Sequence, residues 1–155
     1  MAGRIDARLA ELGITLPEAP VPVASYLPYV VTGNLAVIAG QVTFLDGALK
    51  YVGRLGETMS VEEGEAATRL CALNVLAQLR VACGGDLDRV RQVVRVNAFF
   101  NCTPDFLDHP RVLNAASDLM AEIFGEAGRH TRVGVGVNSL PLGVPVEVDG
   151  VFEIA

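Results

Sequence analysis

The sequence predicts an α+β domain in which one sheet carries two helices on a single face. Two segments, about 61–82 and from about residue 110 to Gly125, repeat apolar residues at helical spacing. Other segments alternate or are short and β-branched, and the two kinds interleave as β-β-β-α-β-α-β-β. A length of 155 residues suits one such domain.

Residues 4–12 open the chain with Ile5, Leu9 and Leu12 among charged residues, which predicts a short amphipathic helix stopped by Gly13. Pro17, Pro20 and Pro22 then read as an extended linker over the surface. Residues 1–21 are expected to form part of the same unit as the domain at 22–155. Tyr29–Val31 and Leu35–Ala39 flank Thr32-Gly33-Asn34 and predict a hairpin. A third strand is expected at 49–52, after a turn at Asp46-Gly47.

Ser60 and Glu63 have the spacing of a capping box ahead of the first long helix, and Gly84-Gly85 ends it. Residues 90–100 are too β-branched for a helix, with Val94, Val96, Ala98 and Phe100 alternating with Arg95 and Asn97. Pro110 suits the first turn of a second helix, whose stripe includes Val112, Leu113, Ala116, Leu119 and Ile123. Strands are expected near 132–138 and 144–154, around a turn at 139–143.

Composition narrows the function classes. The net charge is −6, Lys50 is the only lysine and the arginines are scattered, which disfavours nucleic acid as a partner. The chain is 51% apolar and 19% charged, yet no apolar run approaches the roughly 18 residues of a spanning helix. So apolar a chain is expected to self-associate. Cys71, Cys83 and Cys102 form no CxxC pair, so neither a disulfide framework nor a metal site is expected. With no basic-then-apolar leader at the N-terminus, a cytoplasmic location is the default expectation. His130 reads as a solvated loop histidine, nothing supports a site built from the pair His109 and His130, and Cys102 reads as the exit of a strand rather than a nucleophile.

The last two strands hold the candidate chemistry. Alternation puts Arg132, Gly134, Gly136 and Asn138 on one face, and Glu147 and Asp149 together on a face of the final strand. Closed as an antiparallel hairpin, the two strands would set Gly134 opposite Glu147 and Arg132 near Asp149. An arginine fork binds a carboxylate through paired hydrogen bonds, and a carboxylate can hold and polarise a water. An Arg–acid ion pair with packing glycines is the plainer alternative on spacing alone.

The stretch Arg132-Val133-Gly134-Val135-Gly136-Val137-Asn138-Ser139-Leu140-Pro141, followed by Val144-Pro145-Val146-Glu147-Val148, resembles the C-terminal signature of the RidA/YjgF family. Pro28-Tyr29, Ile38-Ala39-Gly40-Gln41-Val42, and Asn74 with the later Gly84-Gly85-Asp86-Leu87 are similar to its upstream features. The likeness covers about residues 22–155. It implies a chorismate-mutase-like homotrimer with clefts between subunits. It also implies hydrolysis of 2-imino or enamine acids to 2-keto acids and ammonia, without metal or organic cofactor. Carried over, Arg132 binds the substrate carboxylate, Glu147 holds the attacking water with help from the backbone carbonyl near Gly134, and Tyr29 of a neighbouring subunit walls the cleft and orients the substrate. Ala39, Gly40 and Asn114 are the further substrate-binding candidates. Ala39 and Gly134 replace a serine and a cysteine common in the family, which bears on substrate choice. The alternatives are a non-catalytic carboxylate-binding or regulatory trimer and, with less support, a ribonuclease or translation inhibitor.

Overall fold

The computed structural model describes residues 2–155. Its main sheet contains β1 (Tyr29–Thr32), β2 (Leu35–Gln41), β5 (Val90–Asn101), β6 (Thr131–Val137) and β7 (Val146–Ile154). Their spatial order is β1-β2-β7-β5-β6. The helices α2 (Val61–Ala82) and α3 (His109–Phe124) pack on each other and on one face of this sheet.

The third expected strand is smaller than its sequence suggested. Residues 44–49 form a separate two-stranded hairpin of β3 (Phe44–Leu45) and β4 (Ala48–Leu49). Its turn residues, Asp46 at φ 53° and Gly47 at φ 80°, take the positive angles a two-residue hairpin loop demands. Residues 50–52 leave the ladder.

Local signals position the helices. Glu63 donates its backbone N–H to Ser60 Oγ at 3.1 Å, and Ser60 donates back to Glu63 Oε2 at 2.8 Å, closing the capping box. Gly84 and Gly85 end α2 at φ 68° and 95°. Asn74, fully buried in α2, donates to the carbonyls of Val42 and Phe44 and ties the helix to the segment after β2.

The helix-facing side of β7 is apolar at every second residue, with Val146, Val148, Phe152 and Ile154 buried, and β5 adds Val96, Ala98 and Phe100. Emptying the site of Phe100 or Phe152 would cost about 3–5 kcal/mol. The N-terminal helix α1 (Arg4–Glu11) buries Ile5 and Leu9 against this core. Its first turn is capped from a distance: Arg4 and Ile5 each donate a backbone N–H to Asp88, both at 2.7 Å.

Among the described residues, no layer covers the opposite face of the sheet. Val37 on β2 and Val133 and Val135 on β6 remain 41%, 43% and 42% exposed there, on either side of the polar Arg95, Asn97 and Asp149. Among the described residues no helix is long and apolar enough to cross a membrane.

Candidate functional site

The hairpin expected from the last two strands does not form. β6 runs parallel to β5, with Gly134 beside Ala98, while β7 pairs antiparallel with the other edge of β5, with Glu147 beside Phe99. α3 supplies the crossover that a parallel β5–β6 pair requires. The turn at Pro141–Gly143 carries the chain past β5 instead of folding β7 back on β6. Gly134 is therefore not opposite Glu147, and Arg132 is not beside Asp149.

This separates the two candidate residues. Arg132 pairs with Val96, whose side chain faces the helices; Glu147 pairs with Phe99, one of the residues alternating to the open face. The register puts their backbones about 10 Å apart along the strands and about 10 Å across them. Arg132 and Glu147 of one chain thus lie on opposite faces of the sheet.

Glu147 belongs to the first of two clusters. The β2–β7 ladder is regular to Ile38–Gly150 and resumes at Gln41–Val148, so β2 carries one extra residue at Ala39–Gly40. At this bulge the carboxyl of Glu147 lies over bare backbone: a β-carbon at residue 40 would stand 2.2 Å from Glu147 Oε1. Ala39, Gly40 and Glu147, with Tyr26, Pro28 and Leu142, line a cleft of about 390 Å³.

Electrostatics distinguish the neighbouring carboxylates. Partial burial pushes the Glu147 carboxyl above its ordinary pKa, and the charge of Asp149 adds to the rise. Burial also raises Asp149, but the Asn97 hydrogen bond and the charge of Arg95 oppose it. Arg95 Nε donates to Asn97 Oδ1 and Asn97 Nδ2 donates to Asp149 Oδ1, both at 2.8 Å. Glu147 receives no such hydrogen bond from the described residues and is free to engage a water or ligand.

Arg132 belongs to the second cluster. Its Nη1 donates to Asn114 Oδ1 at 2.7 Å and Ser117 Oγ at 3.1 Å, and its Nη2 donates to the Pro110 carbonyl at 3.3 Å. All three acceptors come from α3 and none is charged. Among the described residues Arg132 has no ion-pair partner. The guanidinium is held in place while its charge stays uncompensated, an arrangement suited to an anion.

The structure thus brings together Ala39, Gly40 and Glu147, and separately Arg132 and Asn114. Gly134 serves packing: a β-carbon there would stand 2.8 Å from Leu113 Cδ2, so its absence lets α3 approach the sheet. Tyr29 is partly buried against its own chain's core; Tyr26, unremarked in the sequence, lines the Glu147 cleft instead. Ser117 was also missed, although its i+3 spacing from Asn114 places both on one helix face. His130 is not a free loop residue, because its ring contacts Ser117 Oγ. No group of three His, Cys, Asp or Glu side chains able to hold a metal occurs among the described residues.

Residues 6–149 match the family described as "YjgF/chorismate_mutase-like, putative endoribonuclease". The chain belongs to the RidA/YjgF family. Protein TCP17 of Trypanosoma cruzi is 46% identical over 154 residues, covering 99% of this chain and 96% of its own. A Shewanella oneidensis MR-1 structure carrying the same endoribonuclease label is 39% identical with a TM-score of 0.93, over 98% of this chain and 100% of the other. The RidA of the Antarctic bacterium Psychrobacter sp. PAMC 21119 is 26% identical with a TM-score of 0.59, over 88% of this chain and 94% of its own. The RidA/YjgF fold expected from the C-terminal signature is the fold observed.

Proposed function

We propose that this RidA/YjgF protein hydrolyses 2-imino acids, or their enamine tautomers, to 2-keto acids and ammonia at a site shared between two chains of a homotrimer. The observation that carries the reading is Arg132, oriented by three neutral acceptors and paired with no carboxylate among the described residues. Because Arg132 and Glu147 of one chain face opposite ways, the site joins Arg132 of one subunit to Glu147 of the next. Association would also cover the open sheet face around Val37, Val133 and Val135. Tyr29, at the edge strand β1, would wall the cleft from the neighbouring subunit, and Ala39 and Gly40 would form its floor beside Glu147.

In this scheme Arg132 anchors the substrate carboxylate, worth about 1.5–3 kcal/mol for a hydrogen bond to a charged group. Glu147 takes a proton from water as the oxygen attacks the C=N carbon, whose electron pair moves to the protonated nitrogen. The carbinolamine then collapses: nitrogen takes up that proton from Glu147, the hydroxyl gives its own proton to the freed carboxylate, the C–N bond breaks, ammonia leaves and the carbonyl forms. A positioned acid–base group of this kind contributes about 10²–10⁴-fold. The raised proton affinity of Glu147 suits both directions of that transfer.

One observation favours a second reading, a carboxylate-binding regulatory protein: the Arg132 cluster is complete in one chain without Glu147. A ribonuclease has less support, since a chain of net charge −6 with one lysine offers phosphates no basic stripe. Keto-acid release from a 2-imino acid generated in situ tests the proposal. Acceleration by the wild type, reduced at least about 10²-fold in Glu147→Gln, supports deamination. Carboxylate binding without acceleration supports the regulatory reading.

A further inference from the structure

We propose that Ser117, itself oriented by His130, positions the Arg132 guanidinium for its carboxylate ligand. The inference rests on Arg132 being the carboxylate anchor and adds the two side chains behind it. Both are positioning residues that act through Arg132.

The hydrogen-bond chain has one direction. His130 Nδ1 lies 2.6 Å from the Gly128 carbonyl oxygen, which can only accept, so Nδ1 carries a proton. In the neutral ring Nε2 is then an acceptor, and it lies 2.9 Å from Ser117 Oγ. The serine hydrogen points to His130, and the serine lone pairs face Arg132 Nη1 at 3.1 Å. Arg132 donates to Ser117, Ser117 to His130, and His130 to Gly128.

The far end is firmly seated. Gly128 is buried so close under α3 that a β-carbon there would stand 2.1 Å from the Met120 carbonyl oxygen. The chain therefore runs from fixed backbone to the guanidinium.

The chemistry of the partners matters as much as their position. Nη1 uses its two hydrogens on Ser117 and Asn114, and Nη2 gives one to Pro110. Nε–H and the second Nη2 hydrogen remain for a ligand. An aspartate or glutamate in place of Ser117 would also orient the guanidinium, but would neutralise the charge that recruits the ligand. A hydroxyl whose proton is committed to His130 orients without neutralising.

The test measures the affinity of the full-length protein for pyruvate, a 2-keto acid, by titration calorimetry. Thermal unfolding of every variant is followed in parallel. Ser117→Ala and His130→Phe are each expected to weaken pyruvate binding roughly three- to tenfold, the loss of one neutral hydrogen bond. Ser117→Thr restores the hydroxyl and is expected to bind as the wild type does. The double variant Ser117→Ala/His130→Phe should bind no more weakly than the weaker single variant, because both remove one chain. A merely structural role would lower the unfolding temperature without this affinity pattern. If Arg132→Ala loses pyruvate while Ser117→Ala binds it like the wild type, the positioning role is wrong and the anchor stands. If wild type and Arg132→Ala bind pyruvate equally, or neither binds, the anchor fails and the positioning role fails with it.

Discussion

Glu147 fills the space that any side chain at residue 40 would need. A β-carbon on Gly40 would stand 2.2 Å from Glu147 Oε1 and 3.1 Å from its Cγ. The extra residue at the β2 bulge aims bare backbone at the carboxylate. Gly40→Ala should leave the fold intact, since the crowded atoms are the end of a flexible side chain, but push the carboxyl out of its slot. A displacement of about 1 Å at a catalytic group costs on the order of 10²-fold. Imine hydrolysis by Gly40→Ala is expected to fall by about that factor at unchanged circular dichroism.

Glu147 should also lower stability at neutral pH. Its folded-state pKa is raised, first by burial and then by Asp149, so its ionisation favours the unfolded chain. Its contribution is most favourable below the ordinary glutamate pKa, about 4.3, and is lost as pH rises through the folded value. Glu147→Gln is therefore expected to unfold at a higher temperature than wild type at pH 7, with the gain disappearing towards pH 4. Thermal scans at the two pH values check this, and a uniform change at both would contradict it.

The N-terminal helix depends on a distant cap. Asp88 accepts backbone hydrogen bonds from Ile5 and Arg4, which lower its pKa. Arg80 pairs with Asp6 to tie the same helix to α2. Asp88→Ala should release the first turn, and amide exchange over residues 4–11 is expected to quicken about tenfold relative to the rest of the chain. Because the folded pKa of Asp88 is depressed, its contribution is present above the ordinary aspartate value. It is lost as pH falls through the folded value, so wild-type exchange at 4–11 should approach the variant's in acid.

The elements were legible where local rules act. The Ser60–Glu63 capping box, the glycines ending α2, the Asp46-Gly47 turn and the alternation of β7 all express preferences of neighbouring residues. The partner strands were not legible in the same way. Val133, Val135 and Val137 alternate equally well beside a neighbouring hairpin strand or across the parallel partner β5, and only the packing of α3 decides between them. The same nonlocal fact separates Arg132 from Glu147. The helix acceptors of Arg132 were half visible: Asn114 was expected at the site, whereas Ser117 gains significance only once β6 lies under α3. Tyr26 carries no local sequence signal, because the linker around it lines the cleft at the β2 bulge without any repeat.

In the proposed mechanism Arg132 of one chain works with Glu147 of another. The most direct measurement is the imine-hydrolysis activity of mixed oligomers, formed by unfolding and refolding Arg132→Ala and Glu147→Gln chains together. Each variant alone should be inactive. In a random equal mixture, about one quarter of the interfaces in a cyclic oligomer would receive the intact residue from each side, so the mixture should recover about that share of wild-type activity. A mixture as inactive as its parents, from oligomers shown to have exchanged chains, would contradict the shared site.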